Sequence, residues 1–204
     1  MKLVTLVGPP GCGKGHNAKT IHKEFGVPVF EMGQTLREVV KSETHDADVI
    51  SRHMGAGDKV PVALVEKYFK RGMDQYLQEG VVIIDGIPRD HEQGSMIFSF
   101  AREIRATVST IIISAPGDQC YENILSGKRG RNDDKPEIIA HRLDVFYRDF
   151  NGSRDIKSLR SLLLERSNNV ITVEYGTKDE VYRQIRHGLI GCQILVKEKS
   201  LFAG

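Results

Sequence analysis

The sequence has no tryptophan and almost no net charge, and both shortages narrow the possible functions. Its 204 residues contain 29 lysines and arginines against 27 acidic residues, which gives a formal net charge of +2. This balance provides no chain-wide attraction to nucleic acids or to membrane surfaces. A basic face interleaved with aromatic residues is also disfavoured in a chain without tryptophan. We therefore expect neither a nucleic-acid partner nor a membrane partner.

Cysteines are also scarce, and their spacing excludes two common structural roles. Cys12, Cys120 and Cys192 are odd in number and widely separated, so they predict neither a disulfide framework nor a CxxC zinc site. The apolar stretch before Gly8 is too short for a signal peptide or a membrane span. We therefore expect a reducing, cytoplasmic compartment.

Short apolar runs alternate with longer amphipathic stretches, a pattern typical of a parallel sheet with helices on both faces. The chain is 40% hydrophobic, enough for one core in one domain. Val-, Ile- and Leu-rich runs predict strands at residues 3–7, 28–30, 81–84, 110–113 and 170–173. Amphipathic stretches predict helices at residues 14–25, 62–77, 92–104, 136–147 and 179–189. Two polar segments, residues 36–60 and 126–134, interrupt the alternation and are candidates for mobile subdomains.

The clearest chemical motif is a glycine-rich loop between the first predicted strand and the first predicted helix. Residues 8–15 read GPPGCGKG. Glycines let successive backbone N–H groups converge on an anion, the helix N-terminus adds positive charge, and Lys14 supplies an ammonium group. A plain turn with a solvated lysine is the alternative, which the spacing disfavours. Gly15 stands where most such loops carry a magnesium-binding Ser or Thr, so we expect any metal to be held elsewhere.

Together with later blocks, this loop resembles the adenylate kinase family. The loop is similar to the family's GxPGxGKG, residues 30–37 (FEMGQTLR) to STGDxLR, and residues 57–61 (GDKVP) to GxxVP. Residues 85–89 (DGIPR), followed by Gln93, resemble DGFPR and its glutamine. Residues 130–134 (GRNDD) with Arg142 resemble the lid, and Gly176 resembles part of the donor-base loop. The resemblance covers roughly residues 1–189.

The resemblance implies an α/β P-loop fold in three layers, with a five-stranded parallel sheet and helices on both faces. One kinase domain would span residues 1–204, with an acceptor-binding insertion at about 31–60 and a short lid at about 126–134. The implied reaction is reversible transfer of the terminal phosphate of ATP to AMP, which gives two ADP. The implied cofactor is Mg²⁺, and the implied enzyme is a cytoplasmic monomer.

Transfer between two polyanions requires a ring of fixed cations that excludes water. The resemblance assigns catalytic roles to Lys14, Arg89, Arg131 and Arg142. It assigns Asp85 to magnesium, although a hydrogen-bonded core aspartate is an alternative. It places the donor nucleotide against Gly8, Pro10, Gly11, Cys12, Gly13, Lys14, Gly15, His16, Tyr121 and Gly176. It places the acceptor against Met32, Gly33, Arg37, Lys59, Val60, Gly86, Arg89 and Gln93.

Three regions depart from the family pattern. His16 replaces the threonine that usually follows the loop. Met32 and Gln34 replace the threonine and aspartate of the acceptor segment. A gap-free alignment puts Tyr121 and Leu125 at two lid arginines. Tyr121 could stack on the donor adenine, whereas Leu125 cannot carry charge.

The choice of acceptor depends chiefly on Gln93, since a carboxamide offers a donor and an acceptor to an adenine edge. In pyrimidine-specific relatives an asparagine commonly stands nearby instead. Two alternatives stay open: a UMP/CMP monophosphate kinase, and a non-catalytic nucleotide-binding regulator suggested by the altered lid and by residues 190–204. Cys12 is either a reactive thiol beside Lys14 or a small residue that fills the loop.

Overall fold

The computed structural model describes residues 1–127 and 134–196, which form a five-stranded parallel sheet flanked by helices. The strands are β1 Lys2–Val7, β2 Val29–Glu31, β3 Val81–Asp85, β4 Thr107–Ile113 and β5 Asn169–Val173. Their order across the sheet is β2-β3-β1-β4-β5, and every neighbouring pair is parallel. The predicted fold class and all five predicted strands are confirmed.

Helices connect the strands. They are α1 Lys14–Phe25, α2 Met32–Val40, α3 His45–Ala56, α4 Val62–Met73, α5 His91–Glu103, α6 Gly117–Ser126, α7 Pro136–Asn151, α8 Leu159–Arg166 and α9 Lys178–Gly191. A short 3₁₀ helix, Asp74–Tyr76, follows α4. The five predicted helices are present, and α1 has the predicted bounds.

Helices α2 and α3, which were not predicted from the sequence, occupy most of residues 36–60. The Thr44 hydroxyl accepts a hydrogen bond from the backbone N–H of Ala47 at 3.2 Å and so caps α3. Ile50 is fully buried, and Asp46 accepts hydrogen bonds from Lys67 and Tyr68 of α4. A few apolar contacts and the hydrogen bonds to Asp46 therefore stabilise helices whose sequence is mostly polar.

The core lies on both faces of the sheet. Successive strand residues point to opposite faces, so Leu3 and Val7 of β1 pack into one apolar cluster and Val4 and Leu6 into the other. The first cluster is closed by α2 to α5 and α8, and the second mainly by α1, α6 and α9. This three-layer arrangement leaves the carboxyl ends of the strands as the open edge, where ligand sites of parallel sheets form.

The chain after α9 returns to the sheet. Ile194 and Leu195 are buried in the second cluster, and the Lys2 ammonium donates to the carbonyl of Gln193 at 2.7 Å. In the part of the chain that the structure describes, no helix combines the length and apolarity needed to cross a bilayer.

Candidate active site

A cleft of about 920 Å³ runs along the carboxyl ends of the strands. Its walls come from the loops that follow β1, β2, β3 and β5, together with parts of α6 and α7. Most of the predicted site residues line this one cleft, although they are far apart in the sequence.

The glycine-rich loop forms the centre of the cleft, between the end of β1 and the start of α1. Gly11 has φ 90°, and a Cβ there would lie 2.2 Å from the carbonyl oxygen of Cys120. This position therefore requires glycine for conformation and for space. The Lys14 ammonium donates to the carbonyls of Gly8 at 2.6 Å and Pro9 at 2.9 Å. Its head group thus lies over the loop and not in the core.

Asp85 ends β3 directly beside the loop. A Cβ at Gly15 would lie 3.3 Å from Asp85 Oδ2, so glycine leaves room for the carboxylate. Burial raises the pKa of Asp85 above its ordinary value, nearby Glu31 adds to the rise, and the charges of Lys14 and Arg89 oppose it. Asp85 is thus a carboxyl group held in a poorly solvated place close to the charges of Lys14 and Arg89.

Glu31 was missed by the sequence analysis. It ends β2, pairs in register with Asp85 on β3, and lines the same cleft. A carboxylate at the end of a predicted strand was the available signal. Two carboxylates therefore lie at adjacent strand ends beside the loop.

One end of the cleft carries the predicted acceptor cations. Arg37 of α2 donates to Gln34 at 3.3 Å, and Arg89 donates through Nε to the carbonyl of Gly86 at 3.0 Å. Arg142 of α7 lies 3.5 Å from Asp134, and both side chains are largely buried. All three arginines line the cleft with Lys14. The predicted catalytic Arg131 lies outside the described residues.

Lys59 also lines the cleft, but its charge is already balanced. Its Nζ lies 2.7 Å from Asp90 Oδ2 and 2.7 Å from Asp149 Oδ2. Burial by itself would lower the pKa of Lys59, but the hydrogen bonds to Asp149 and Asp90 outweigh it and raise the pKa. Lys59 therefore joins the acceptor segment to α5 and α7.

Three residues predicted to contact the acceptor do not line the cleft. Met32 is 1% exposed and Val60 is also buried, and both belong to the first apolar cluster. Gln93 is 2% exposed, and its Oε1 accepts a hydrogen bond from the backbone N–H of Arg89 at 2.9 Å. Gln93 thus supports the backbone that carries Arg89. Gly33 and Gly86 line the cleft as predicted.

Tyr121 does not line the cleft either, because its ring packs against the second apolar cluster. From the same helix it is Asn123 that faces the cleft, and its Nδ2 donates to the carbonyl of Gly11 at 3.2 Å. Gly127, and not Leu125, lines the cleft at the end of α6. The gap-free alignment therefore selected the wrong face of this helix.

The remaining predicted donor residues do line the cleft: Gly8, Pro10, Gly11, Cys12, Gly13, Gly15, the exposed His16, and Gly176. Cys12 is buried against the loop, with Sγ 3.6 Å from the Lys14 ammonium. Cys120 is also buried, and burial raises the pKa of its thiol to about 12. Further residues that were not predicted from the sequence also line the cleft, among them Asn123, Ile124, Tyr175, Thr177, Lys178 and Val181.

The known proteins that this chain resembles are adenylate kinases. The family model described as adenylate kinase matches residues 6–152. An adenylate kinase of Oenococcus oeni is 32% identical over 146 residues, which cover 71% of this chain and 77% of that protein. An adenylate kinase of Mycobacteroides abscessus is 31% identical over 189 residues, which cover 91% of this chain and 98% of that protein. One of Clavibacter michiganensis subsp. michiganensis is 29% identical over 197 residues, which cover 94% of each chain.

Proposed function

Because the chain belongs to the adenylate kinase family, it is a phosphotransferase, and we propose that this cleft transfers the terminal phosphate of ATP to AMP. The main support for the proposal is that Lys14 lies in the middle of one cleft whose two ends are lined by different elements. Arg37 and Arg89 line one end, and the loop after β5 lines the other. Such a cleft suits two nucleotides whose phosphates meet at the glycine-rich loop.

The cations have separate tasks in this proposal. Lys14 leaves the loop carbonyls and neutralises the charge that develops on the transferring phosphate. Arg37 and Arg89 hold the acceptor phosphate, which suits the planar guanidinium fork. Arg142 approaches from α7, and Arg131 is proposed to act with it from the lid. Their joint effect is to fix the reacting groups and to stabilise charge, which is most of what phosphoryl transfer requires of a protein.

Mg²⁺ is the proposed cofactor and would travel with the nucleotide. The described residues contain no group of three or more His, Cys, Asp or Glu side chains that could hold a metal ion. Magnesium commonly binds through one or two carboxylates together with substrate phosphates, and Asp85 with Glu31 fits that pattern. When bound, the metal would neutralise phosphate charge. Asp85 and Glu31 would orient it, and Gly15 keeps the space open.

AMP is the proposed acceptor, since the relatives are adenylate kinases and Gln93 lies under the acceptor end. Nothing in the family match favours the pyrimidine kinase or the non-catalytic regulator. For Gln93 to reach the base, its amide must remain available while Oε1 holds the Arg89 backbone. A second lone pair on Oε1 and the two protons of the Nε2 amide group provide that capacity.

The decisive experiment measures ATP consumption with AMP, CMP, UMP, GMP and dTMP as acceptors. We expect AMP to give the highest kcat/KM. Preference for CMP or UMP would refute the acceptor assignment, and no turnover with any acceptor would refute the catalytic one. We further propose that the enzyme is cytoplasmic, where its three cysteines would stay free thiols, and that it is a monomer. Light scattering at assay concentration tests the oligomeric state.

A further inference from the structure

The end of helix α3 packs directly against helix α7 beside Arg142. Gly57 follows α3 with φ 79°, and a Cβ there would lie 2.9 Å from Ile138 Cγ2 and 3.1 Å from Arg142 Cγ. Glycine therefore allows the two backbones to approach each other this closely. Because Gly57 lies against the aliphatic part of the Arg142 side chain, the end of α3 limits the directions that the guanidinium group can take.

An ion pair next to this contact joins the same two elements. Asp58 Oδ1 lies 2.7 Å from His141 Nε2. The backbone N–H of Asp58 donates to the carbonyl of His53 at 2.9 Å, so the end of α3 fixes the position of Asp58. On α7, Ile138, His141 and Arg142 have the spacing i, i+3 and i+4 and so share one face of the helix. This face of α7 is the one that meets the end of α3.

The ion pair lies outside the cleft, beside two residues that line it. Gly57 and Arg142 line the cleft, whereas Asp58 and His141 do not. The two side chains of the pair are 50% and 45% exposed, and ion pairs of such exposure add little stability. Lys59 already connects the segment after α3 to α7 through Asp149. The pair therefore contributes chiefly to the orientation of the second turn of α7, which carries Arg142.

We propose that Asp58 and His141 are positioning residues for Arg142. Their pair holds α7 against the end of α3, and Gly57 then keeps the Arg142 side chain directed into the cleft. This inference rests on the proposed function, in which Arg142 stabilises the transferring phosphate. Phosphoryl transfer depends on such alignment, since a displacement of about 1 Å can cost about 100-fold in rate.

The test separates turnover from substrate affinity. The values of kcat, and of KM for ATP and for AMP, are measured for wild type, Asp58→Ala, His141→Ala and the double variant. We expect each single change to lower kcat by at least about fivefold and to leave both KM values within about twofold, because neither side chain lines the cleft. The double variant should fall no further than the single ones, since the two residues act as one pair.

Two further variants serve as control and rescue. Glu103 pairs with Lys70 between α5 and α4, is also partly exposed and does not line the cleft, so Glu103→Ala should leave kcat unchanged. In His141→Arg a guanidinium group keeps a cation beside Asp58, and this variant should retain at least about half of the wild-type kcat. Urea unfolding midpoints of all variants should stay near that of wild type.

A background without the Arg142 guanidinium gives the sharpest comparison. In Arg142→Ala, assayed at high enzyme concentration, adding Asp58→Ala should change the residual turnover by less than about twofold. An equal loss in both backgrounds would overturn the inference, because Asp58 would then act by another route. Unchanged kcat in Asp58→Ala and His141→Ala, or a large drop in their unfolding midpoints, would also overturn it. Wild-type protein without turnover on any acceptor would instead refute the proposed function.

Discussion

The Nζ atom of Lys59 lies 2.7 Å from Oδ2 of Asp149, and this ion pair joins the segment after α3 to helix α7. Asp149 is only 3% exposed and also accepts a hydrogen bond from Arg148 Nε at 3.0 Å. Lys59 additionally holds Asp90, the N-cap of α5. One lysine therefore connects three elements around the acceptor end of the cleft.

Replacing Lys59 with methionine should lower the free energy of unfolding by about 1–3 kcal/mol, because it leaves Asp149 buried with Arg148 as its remaining cation. The matched control is Lys70, which pairs with Glu66 and Glu103 and whose side chain is 39% exposed. Urea unfolding at pH 7 measures both variants. A Lys59→Met protein no less stable than Lys70→Met would contradict this account.

The same ion pair predicts that the free energy of unfolding depends on pH. Burial acts to raise the pKa of Asp149, but hydrogen bonds from Arg148 and Lys59 outweigh it and bring the pKa below the ordinary 3.8. A lowered carboxyl pKa contributes stability above the unfolded value and loses it as the pH falls through the folded value. The stability difference between wild type and Lys59→Met should therefore be full at pH 7 and shrink below pH 3.8. Urea titrations at pH 7 and at about pH 3 test this; a constant difference contradicts it.

Lys14→Met should reduce turnover to less than about a tenth of wild type while the unfolding midpoint changes little. Among residues 1–127 and 134–196, the hydrogen bonds of its ammonium all go to loop groups: the carbonyls of Gly8 and Pro9 and the thiol of Cys12. Loss of charge stabilisation at a transferring phosphate typically costs several kcal/mol of transition-state energy, about 3 kcal/mol or more. Lys23→Met, on the exposed face of the same helix, is the control and should keep full activity.

Gln93→Leu should lower the preference for AMP by about 1–3 kcal/mol, measured as the ratio of kcat/KM for AMP to that for CMP. The ratio matters because Gln93 also accepts a hydrogen bond from the backbone of Arg89, which holds any acceptor phosphate. Loss of that support reduces use of every acceptor equally. A fall in both values with an unchanged ratio would assign Gln93 to backbone support alone.

Alkylation should distinguish the three thiols. Cys192 is half-buried, whereas Cys12 and Cys120 are buried. We expect iodoacetamide at pH 8 to label Cys192 first, and Cys12 no faster than in the unfolded chain, as for a residue that fills the loop. Peptide mapping measures each rate. Rapid labelling of Cys12 that ATP slows would favour the reactive thiol instead.

The sheet and the glycine-rich loop could be predicted because their signals are local. Apolar runs predict each strand. Glycines bound α1 at both ends, with Gly13 before it and Gly26 after it. The helices α2 and α3 were missed because their sequences are mostly polar and are stabilised by contacts with α4 that lie outside the local pattern. Local periodicity cannot report a tertiary contact.

The side-chain directions at the site were harder to predict. Tyr121 and Asn123 are two positions apart, which on a helix of 3.6 residues per turn separates them by about 200°. An alignment shift of two residues therefore assigns to the cleft a side chain that in fact faces the core. Met32 shows the same limit, since a family resemblance assigns a position to a pocket but does not show that a bulkier side chain will be buried.

The order β2-β3-β1-β4-β5 has a consequence for the reverse reaction. The acceptor end is built after β2 and β3, and the donor end by α6 and the loop after β5, so the two halves of the cleft meet at the loop that follows β1. When two ADP molecules react, identical ligands must occupy these unlike halves, each with its own dissociation constant. Either half can fill first, and the rate at low ADP should rise with the square of its concentration.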